Sequence, residues 1–171
     1  MSLVLRHKPE QLGLRLDENG WVEVSELLAA MRSQGLDVDA DLLEEVVREN
    51  DKQRFAFNED KTRIRANQGH SVEVDVELEE TLPPDFLYHG TVEKFLDLIR
   101  ESGLKKMSRQ HVHLSAEIET ASNVGSRRGK PVILKIESGQ MAQDGYPFFL
   151  SANGVWLTDN VPPRYIAFPG D

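Results

Sequence analysis

The 171-residue sequence contains no cysteine. That absence excludes disulfides, a thiol nucleophile and zinc held by thiolates, and it fits a cytoplasmic protein. No apolar run is long enough to cross a bilayer, and no signal-peptide pattern follows Met1. We therefore expect a cytoplasmic chain with no membrane association. Internal repeats and low-complexity tracts are missing, as are a Walker-type phosphate loop and a GxGxxG fingerprint after a strand. Positive charge is in deficit: the net charge of −9 argues against broad, nonspecific nucleic-acid binding. A compact basic pocket remains compatible with that sum, so the positions of the arginines matter more than their number. With 39% hydrophobic residues the chain can fill one or two small domains.

Between Ser71 and Asp85 there are six acidic residues and no basic one. Val72, Val74, Val76 and Leu78 alternate with Glu73, Asp75, Glu77 and Glu79, which is strand periodicity, before Glu80 and Pro83-Pro84. We read an acidic connector over 71–84, with an edge strand in it, joining lobes at 1–70 and 85–171.

In the first lobe, Met1 to His7 reads as a helix tail stopped by Pro9. Gly20 to Val24 reads as a short strand. Ser25 is expected to cap a helix carrying Leu27, Leu28 and Met31, closed by Gly35. Asp41 with Glu44 forms a capping-box pattern for the next helix, with Leu42, Leu43, Val46 and Val47 inward. Arg54-Phe55-Ala56-Phe57 and Arg63-Ile64-Arg65-Ala66 flank Asn58-Glu59-Asp60-Lys61, a hairpin. Helix, helix, hairpin is the order of a winged helix, a common nucleic-acid-binding scaffold. Arg63 and Arg65 share one face of the return strand. Lys8, Lys61 and Arg63 read as solvated, whereas the pattern leaves Arg6, His7 and Arg54 open between a solvated surface and an anion site.

The second lobe opens on Phe86-Leu87-Tyr88-His89-Gly90-Thr91, followed by Val92, Phe95, Leu96 and Ile99 at helical spacing. We expect a strand delivering His89 to a helix capped by Thr91 and ended by Gly103, with Gly90 letting a ligand approach bare backbone. A plain strand–turn–helix is the alternative. Gln110 to Ser115 reads as a strand with His111 and His113 on one face, and Ser115 as the cap of a helix over about 116–124. Gly125-Ser126-Arg127-Arg128-Gly129-Lys130 reads as a glycine-flanked basic loop before the strand Pro131 to Ile136. Further strands are expected at 148–150 and 155–158, split by a turn at Asn153-Gly154, and at 165–168. This half is strand-rich with two short helices, a compact mixed sheet, so the fold class is α+β. Two histidines on a strand and a third elsewhere are metal-ligand types, but no acidic partner accompanies them, and we expect no metal. His111 is expected to be structural or exposed.

Seven segments then match one family in order: 5–9, 50–55, 65–71, 88–91, 112–115, 125–127 and 147–155. They include Leu5-Arg6-His7-Lys8-Pro9, Asn50-Asp51-Lys52-Gln53-Arg54-Phe55, Tyr88-His89-Gly90-Thr91 and Val112-His113-Leu114-Ser115. Over nearly its full length the chain resembles the Tpt1/KptA RNA 2′-phosphotransferases. The resemblance implies a winged-helix RNA lobe joined to an ADP-ribosyltransferase-like NAD lobe. It implies removal of a 2′-phosphate left at an RNA splice junction, as in tRNA splicing. NAD is consumed as co-substrate, and the products are 2′-OH RNA, nicotinamide and ADP-ribose 1″,2″-cyclic phosphate. The path runs through a 2′-phospho-ADP-ribosylated RNA intermediate. A tRNA-like substrate, no obligate protein partner and a monomer are the matching expectations.

By the same resemblance Arg6, His7, Arg54 and Arg127 form the catalytic group. Lys52, Arg65 and Arg128 contact substrate phosphate or RNA. His89, Gly90 and Thr91 hold the adenosine ribose of NAD, while His113, Leu114, Ser115, Phe149, Asn153, Gly154 and Val155 frame the nicotinamide side. His89 and His113 stand at the first two places of the transferase signature. The third place, a glutamate in transferases that modify proteins, falls on an apolar residue near Val155. Gln68, Gly69 and His70 lie at the exit of the first lobe, where His70 and Gln68 are either structural or functional. Members of the family usually carry more residues ahead of this arginine-histidine pair, so Arg6 is expected on a fraying turn.

The missing glutamate is consistent with the implied chemistry. Nicotinamide leaves as a neutral group, the ribose carbon gains oxocarbenium character, and an anionic phosphate needs no base to activate it. A carboxylate beside that phosphate would repel it. Guanidinium forks clamp phosphate, and one oriented donor is worth about 2.7–4 kcal/mol at a transition state. The second step is phosphoryl transfer, for which His7 is the candidate proton carrier near pH 7. Two other functions remain open at this stage: an ADP-ribosyltransferase acting on nucleic-acid ends or protein, and a noncatalytic winged-helix regulator that senses a nucleotide.

Overall fold

The computed structural model describes residues 1–170; Asp171, the last residue of the predicted second lobe, lies outside them. The chain is α+β and forms two compact units, Met1–Glu77 and Leu78–Asp171. The division falls within the acidic stretch 71–84.

In the first unit α1 (Ser2–Arg6) leads through a 3-10 turn at Pro9–Leu12 to β1 (Val22–Glu23) and α2 (Val24–Ser33). Then come α3 (Ala40–Arg48), β2 (Phe55–Phe57) and β3 (Arg63–Ala66). The strands form one antiparallel sheet in the order β1-β3-β2, with Val22 opposite Ile64 and Ala56 opposite Arg65. Leu27 and Met31 of α2, and Leu43 and Val47 of α3, recur at four-residue spacing and so point to one side. There they pack with Val4, Leu5, Val22, Phe55 and Ile64 in a single core.

The structure corrects three expectations here. Ser25 lies inside the first turn of α2 rather than capping it, because β1 runs straight into the helix and Glu23 takes the cap position. Asp39, not Asp41, caps α3: its extended backbone suits a cap, and its carboxylate accepts the Leu42 N–H at 2.9 Å. Leu42 and Val46 face solvent, since neighbours on a helix diverge by about 100° and the inward stripe is filled by Leu43 and Val47.

The alternating stretch 72–78 buries Val74 and Val76 but builds no ladder. Its backbone is held one bond at a time, with the Asp75 N–H donating to the Glu18 carbonyl at 2.8 Å. An isolated bridge between Glu80 and Phe149 stands in place of the expected edge strand.

The second unit begins with β4 (Leu87–Val92). It continues through a 3-10 turn at Glu93–Phe95, α4 (Leu96–Ser102), β5 (Leu104–Lys105), β6 (Val112–Leu114) and α5 (Ile118–Gly125). A 3-10 turn at Ser126–Arg128 prolongs α5. The chain then forms β7 (Pro131–Ile136), α6 (Ser138–Gln143), β8 (Phe149–Leu150), β9 (Trp156–Thr158), β10 (Asn160–Val161) and β11 (Ile166–Ala167). One compact mixed sheet was expected. The described strands instead pair antiparallel in three small sheets, β11-β7-β4, β6-β9-β8 and β10-β5. The reason is topological: α4 and α5 each connect strands of different sheets, so neither makes the crossover that parallel neighbours need. Leu87, Leu114, Leu134, Ile136, Met141, Phe148 and Trp156 fill the core.

Further corrections concern caps and ends. Thr91 is part of β4, and Phe95 occupies the cap position of α4. Ser115 pairs with Tyr88 across two backbone hydrogen bonds of 2.8 and 2.9 Å instead of capping α5. His111 lies before β6, and Tyr165 belongs to a 3-10 turn ahead of β11. Gly103 does close α4, with φ at 72°.

Candidate active site

In the first unit the segment following β3 organises the predicted catalytic residues. The Asn67 N–H donates to the Arg54 carbonyl at 2.9 Å, and Asn67 Nδ2 donates to the Gln53 carbonyl at 2.6 Å. Four residues on, the Ser71 N–H donates to the Arg6 carbonyl at 2.9 Å, and Ser71 Oγ lies 2.9 Å from His7 Nδ1. Residues 67–71 thus tie down the backbone of Arg54 and both the backbone of Arg6 and the ring of His7. Arg6 is buried rather than on a fraying turn, because its carbonyl is held and α1 packs against β3. Arg54 is half-buried and Lys52 exposed at the turn after α3.

His70, between those ties, is fully buried. Burial pushes its pKa down to about 4, and the positive charges of Arg6, His7 and Arg65 push the same way. The Leu5 carbonyl opposes the shift, yet neither ring nitrogen reaches hydrogen-bonding geometry with any described residue. His70 is therefore neutral at pH 7. Gln68 Oε1 is also buried without a hydrogen-bond partner among the described residues.

Arg65, whose charge reaches His70, has other partners for its guanidinium. Its guanidinium lies 4.4 Å from the centre of the Trp21 ring and 3.1 Å from Glu77 Oε2. Arg63 flanks the same ring at 5.6 Å and meets Asp17 at 3.4 Å. The alternation of β3 does place both on one face, where Trp21 and carboxylates engage them.

In the second unit β4 and the segment of β6 that runs into Ser115 bring the predicted residues His89, His113 and Ser115 together. His89 Nδ1 donates to the His113 carbonyl at 3.1 Å, beside the Tyr88–Ser115 bridge. Arg109 Nη1 donates to His113 Nδ1 at 3.0 Å. These bonds set the tautomers: His89 keeps its proton on Nδ1 and offers Nε2 as acceptor, while His113 carries its proton on Nε2. Burial lowers the His89 pKa; the His113 carbonyl pulls it part of the way back up, and Arg128 adds a smaller push downward. In the sheet β6-β9-β8, His113 and Phe149 both stand opposite Leu157, on one face. The turn beyond Phe149 is closed by Ser151 Oγ, which donates to Asn153 Oδ1 at 2.7 Å and accepts the Val155 N–H at 3.0 Å. Gly154 takes φ of 76° there.

Gly90 is a close-packing point: a Cβ on it would lie 1.7 Å from the Ala121 carbonyl oxygen, so α5 fills the space on that side. Gly90 and Thr91 are also paired with Ile133 and Val132, so the backbone beyond His89 belongs to a sheet and not to an open helix start.

That close crossing seats α5, whose 3-10 extension presents Arg127 and Arg128, both exposed. Their positive charges, after burial, lower the pKa of Arg109. Arg109 was missed by sequence reasoning; its only signal is a basic residue four places before His113. Asn50 and Asn67 lie within the matched segments 50–55 and 65–71, but nothing in their spacing assigns them a role. The groups acting on His89 and Arg109 are cations, backbone and burial, with no carboxylate among them. Such a set favours bound anions and provides neutral imidazoles as hydrogen-bond partners. Among the described residues no cluster of three or more histidine and acidic side chains could hold a metal ion. No described helix is long and apolar enough to cross a membrane.

A family model described as RNA 2′-phosphotransferase, Tpt1/KptA family, matches residues 1–160. The chain is 61% identical over 168 residues to a Flavobacterium johnsoniae protein named "Probable RNA 2′-phosphotransferase", covering 98% of this chain and 92% of that one. Proteins of the same name from Fusobacterium nucleatum and Rhodopirellula baltica are 55% and 56% identical; 98% and 99% of this chain and 94% and 92% of theirs are covered. The chain belongs to the RNA 2′-phosphotransferase, Tpt1/KptA family.

Proposed function

We propose that this protein is an NAD-dependent RNA 2′-phosphotransferase. It takes an internal 2′-phosphate from a tRNA-like RNA and transfers it to NAD, in the cytoplasm and as a monomer. The observation that carries this reading is the shared anchoring of Arg6, His7 and Arg54 on residues 67–71, in a member of a family described by that activity. The order of helices and hairpin around the sheet β1-β3-β2 supports a winged-helix lobe. The histidine pair on β4 and β6 supports an ADP-ribosyltransferase-like lobe for NAD.

In the first step a 2′-phosphate oxygen forms a bond to C1″ of the nicotinamide ribose as the bond to nicotinamide breaks. Nicotinamide departs neutral, so no acid is required, and the phosphate is already anionic, so no base is required. Arg6, Arg54 and Arg127 neutralise the phosphate, which is the contribution that an oriented guanidinium makes best. His89 and His113, neutral and with fixed tautomers, hold ribose hydroxyls by donating and accepting. In the second step the ribose O2″ bonds to phosphorus and the RNA 2′-oxygen leaves, giving the 1″,2″-cyclic phosphate and a 2′-OH. The proton of O2″ passes to the departing RNA oxygen, with His7, oriented by Ser71, as its carrier.

The test gives the protein NAD and an RNA bearing one internal 2′-phosphate, beside the same RNA without it. The expected result is one nicotinamide released per 2′-phosphate lost, and none with the control RNA. Arg6→Ala, Arg54→Ala and Arg127→Ala should each lose at least a hundredfold in rate. ADP-ribose stably attached to the control RNA would favour a simple ADP-ribosyltransferase instead. Binding of NAD without nicotinamide release would favour a nucleotide sensor.

A further inference from the structure

We infer that Asn67 is a positioning residue for Arg54, acting through the backbone turn that delivers that arginine. The inference rests on the proposed role of Arg54 but is drawn from the turn itself. Gln53 has φ of +42°, a region that side chains other than glycine and asparagine rarely adopt. Its strained conformation is held from two sides. On one side the Asn50 carbonyl accepts the Gln53 N–H at 2.7 Å and Gln53 Nε2 at 2.9 Å, while Asn50 Oδ1 accepts the Arg54 N–H at 3.2 Å. On the other, Asn67 donates twice, from Nδ2 to the Gln53 carbonyl and from its N–H to the Arg54 carbonyl.

Asn67 is buried, so its side-chain amide cannot exchange this partner for bulk water. An asparagine suits the place because it is short and donates. Aspartate, of the same shape, would turn an acceptor toward the Gln53 carbonyl. With the tie gone, Gln53 relaxes toward the right-handed region, its carbonyl rotates, and the Arg54 Cα–Cβ bond swings with it. A long side chain magnifies that swing at the guanidinium, and a displacement of about 1 Å at a reacting group can cost about a hundredfold in rate. Asn67 touches no phosphate in this account; its effect passes through Arg54.

The experiment measures kcat and KM on NAD and 2′-phosphorylated RNA for wild type, Asn67→Asp, and Asn67→Ala alone and with Gln53→Gly. Glycine adopts the left-handed turn without strain, so it should replace the tie. We expect Asn67→Asp and Asn67→Ala to lower kcat at least thirtyfold with KM for NAD unchanged. Adding Gln53→Gly to Asn67→Ala should restore tenfold or more. A wild-type kcat in folded Asn67→Asp, or a loss that Gln53→Gly does not relieve, overturns the inference. Should the single variants not fold, Gln53→Gly is compared with the Gln53→Gly, Asn67→Ala pair: rates within threefold support positioning, and a thirtyfold gap refutes it. If wild type leaves the 2′-phosphate untouched, the phosphotransferase reading fails instead. The tie is then judged by amide exchange, where faster exchange at Arg54 in Asn67→Asp supports it and unchanged exchange refutes it.

Discussion

Gly90 and Ala121 meet backbone to backbone: a Cβ on Gly90 would stand 1.7 Å from the Ala121 carbonyl oxygen. The contact is reciprocal, since a Cβ on Gly125 would lie 2.9 Å from the Thr91 carbonyl oxygen. Strand β4 and helix α5 can lie this close only because neither carries a side chain at the crossing. The helix then delivers Arg127. Gly90→Ala is expected to cost about 3 kcal/mol or more, above the usual range for overpacking, because the obstacle is main chain. Chemical denaturation of the whole protein measures it, and an unchanged midpoint would contradict the packing described.

His70 gives the protein a pH-dependent stability. Its folded pKa of about 4 lies below the ordinary 6.5, so between these values the unfolded chain binds a proton that the folded one refuses. The stabilisation is complete above pH 6.5 and is lost as pH falls toward 4, at up to about 1.4 kcal/mol per pH unit. Unfolding free energies at pH 7, 6 and 5 should fall more steeply in wild type than in His70→Leu, which keeps only the share of the other histidines with lowered pKa, such as His89. Parallel slopes would mean that His70 is not the group responsible.

Arg65 packs on Trp21 and pairs with Glu77. Arg65→Lys keeps the charge but loses the planar stack, and a loss of about 1 kcal/mol in stability is expected. RNA affinity should stay within twofold. A tenfold weaker affinity at unchanged stability would return Arg65 to the substrate contacts that the resemblance implies.

Helix α3 and its C-terminal cap present Asp41, Leu42, Glu45, Val46, Arg48 and Glu49 to solvent; Arg48 is paired with Glu49 at 3.1 Å, so the face is net acidic and unsuited to a phosphate backbone. Neutralising Glu45 and Glu49 together to glutamine should change RNA affinity less than twofold. Arg54→Ala should weaken it at least tenfold, about 1.4 kcal/mol. Filter binding at two salt concentrations compares them, and a larger effect from the α3 variant would place RNA on that helix.

The hairpin of β2 and β3 is legible in the sequence because two β-prone runs flank a polar loop. The helices of the first unit are legible because their apolar residues repeat at helical spacing. Legibility fails where a distant partner decides. Nothing around Gly90 announces that Ala121 will fill the space beside it, and Thr91 and Ser115 look like caps until strand pairing claims them. Helix α6 escapes notice because six residues with one large apolar anchor, Met141, show no periodicity. Asn67 and Ser71 are ordinary polar residues in sequence; their meaning lies in the backbone carbonyls that they reach, more than ten and sixty positions away.

The most direct test of the account follows the phosphorus itself, in RNA whose single internal 2′-phosphate carries a radioactive label. With protein and NAD, the account predicts that all label leaves as ADP-ribose 1″,2″-cyclic phosphate, one for each nicotinamide released. Label appearing as inorganic phosphate, or RNA dephosphorylated without NAD, would contradict it.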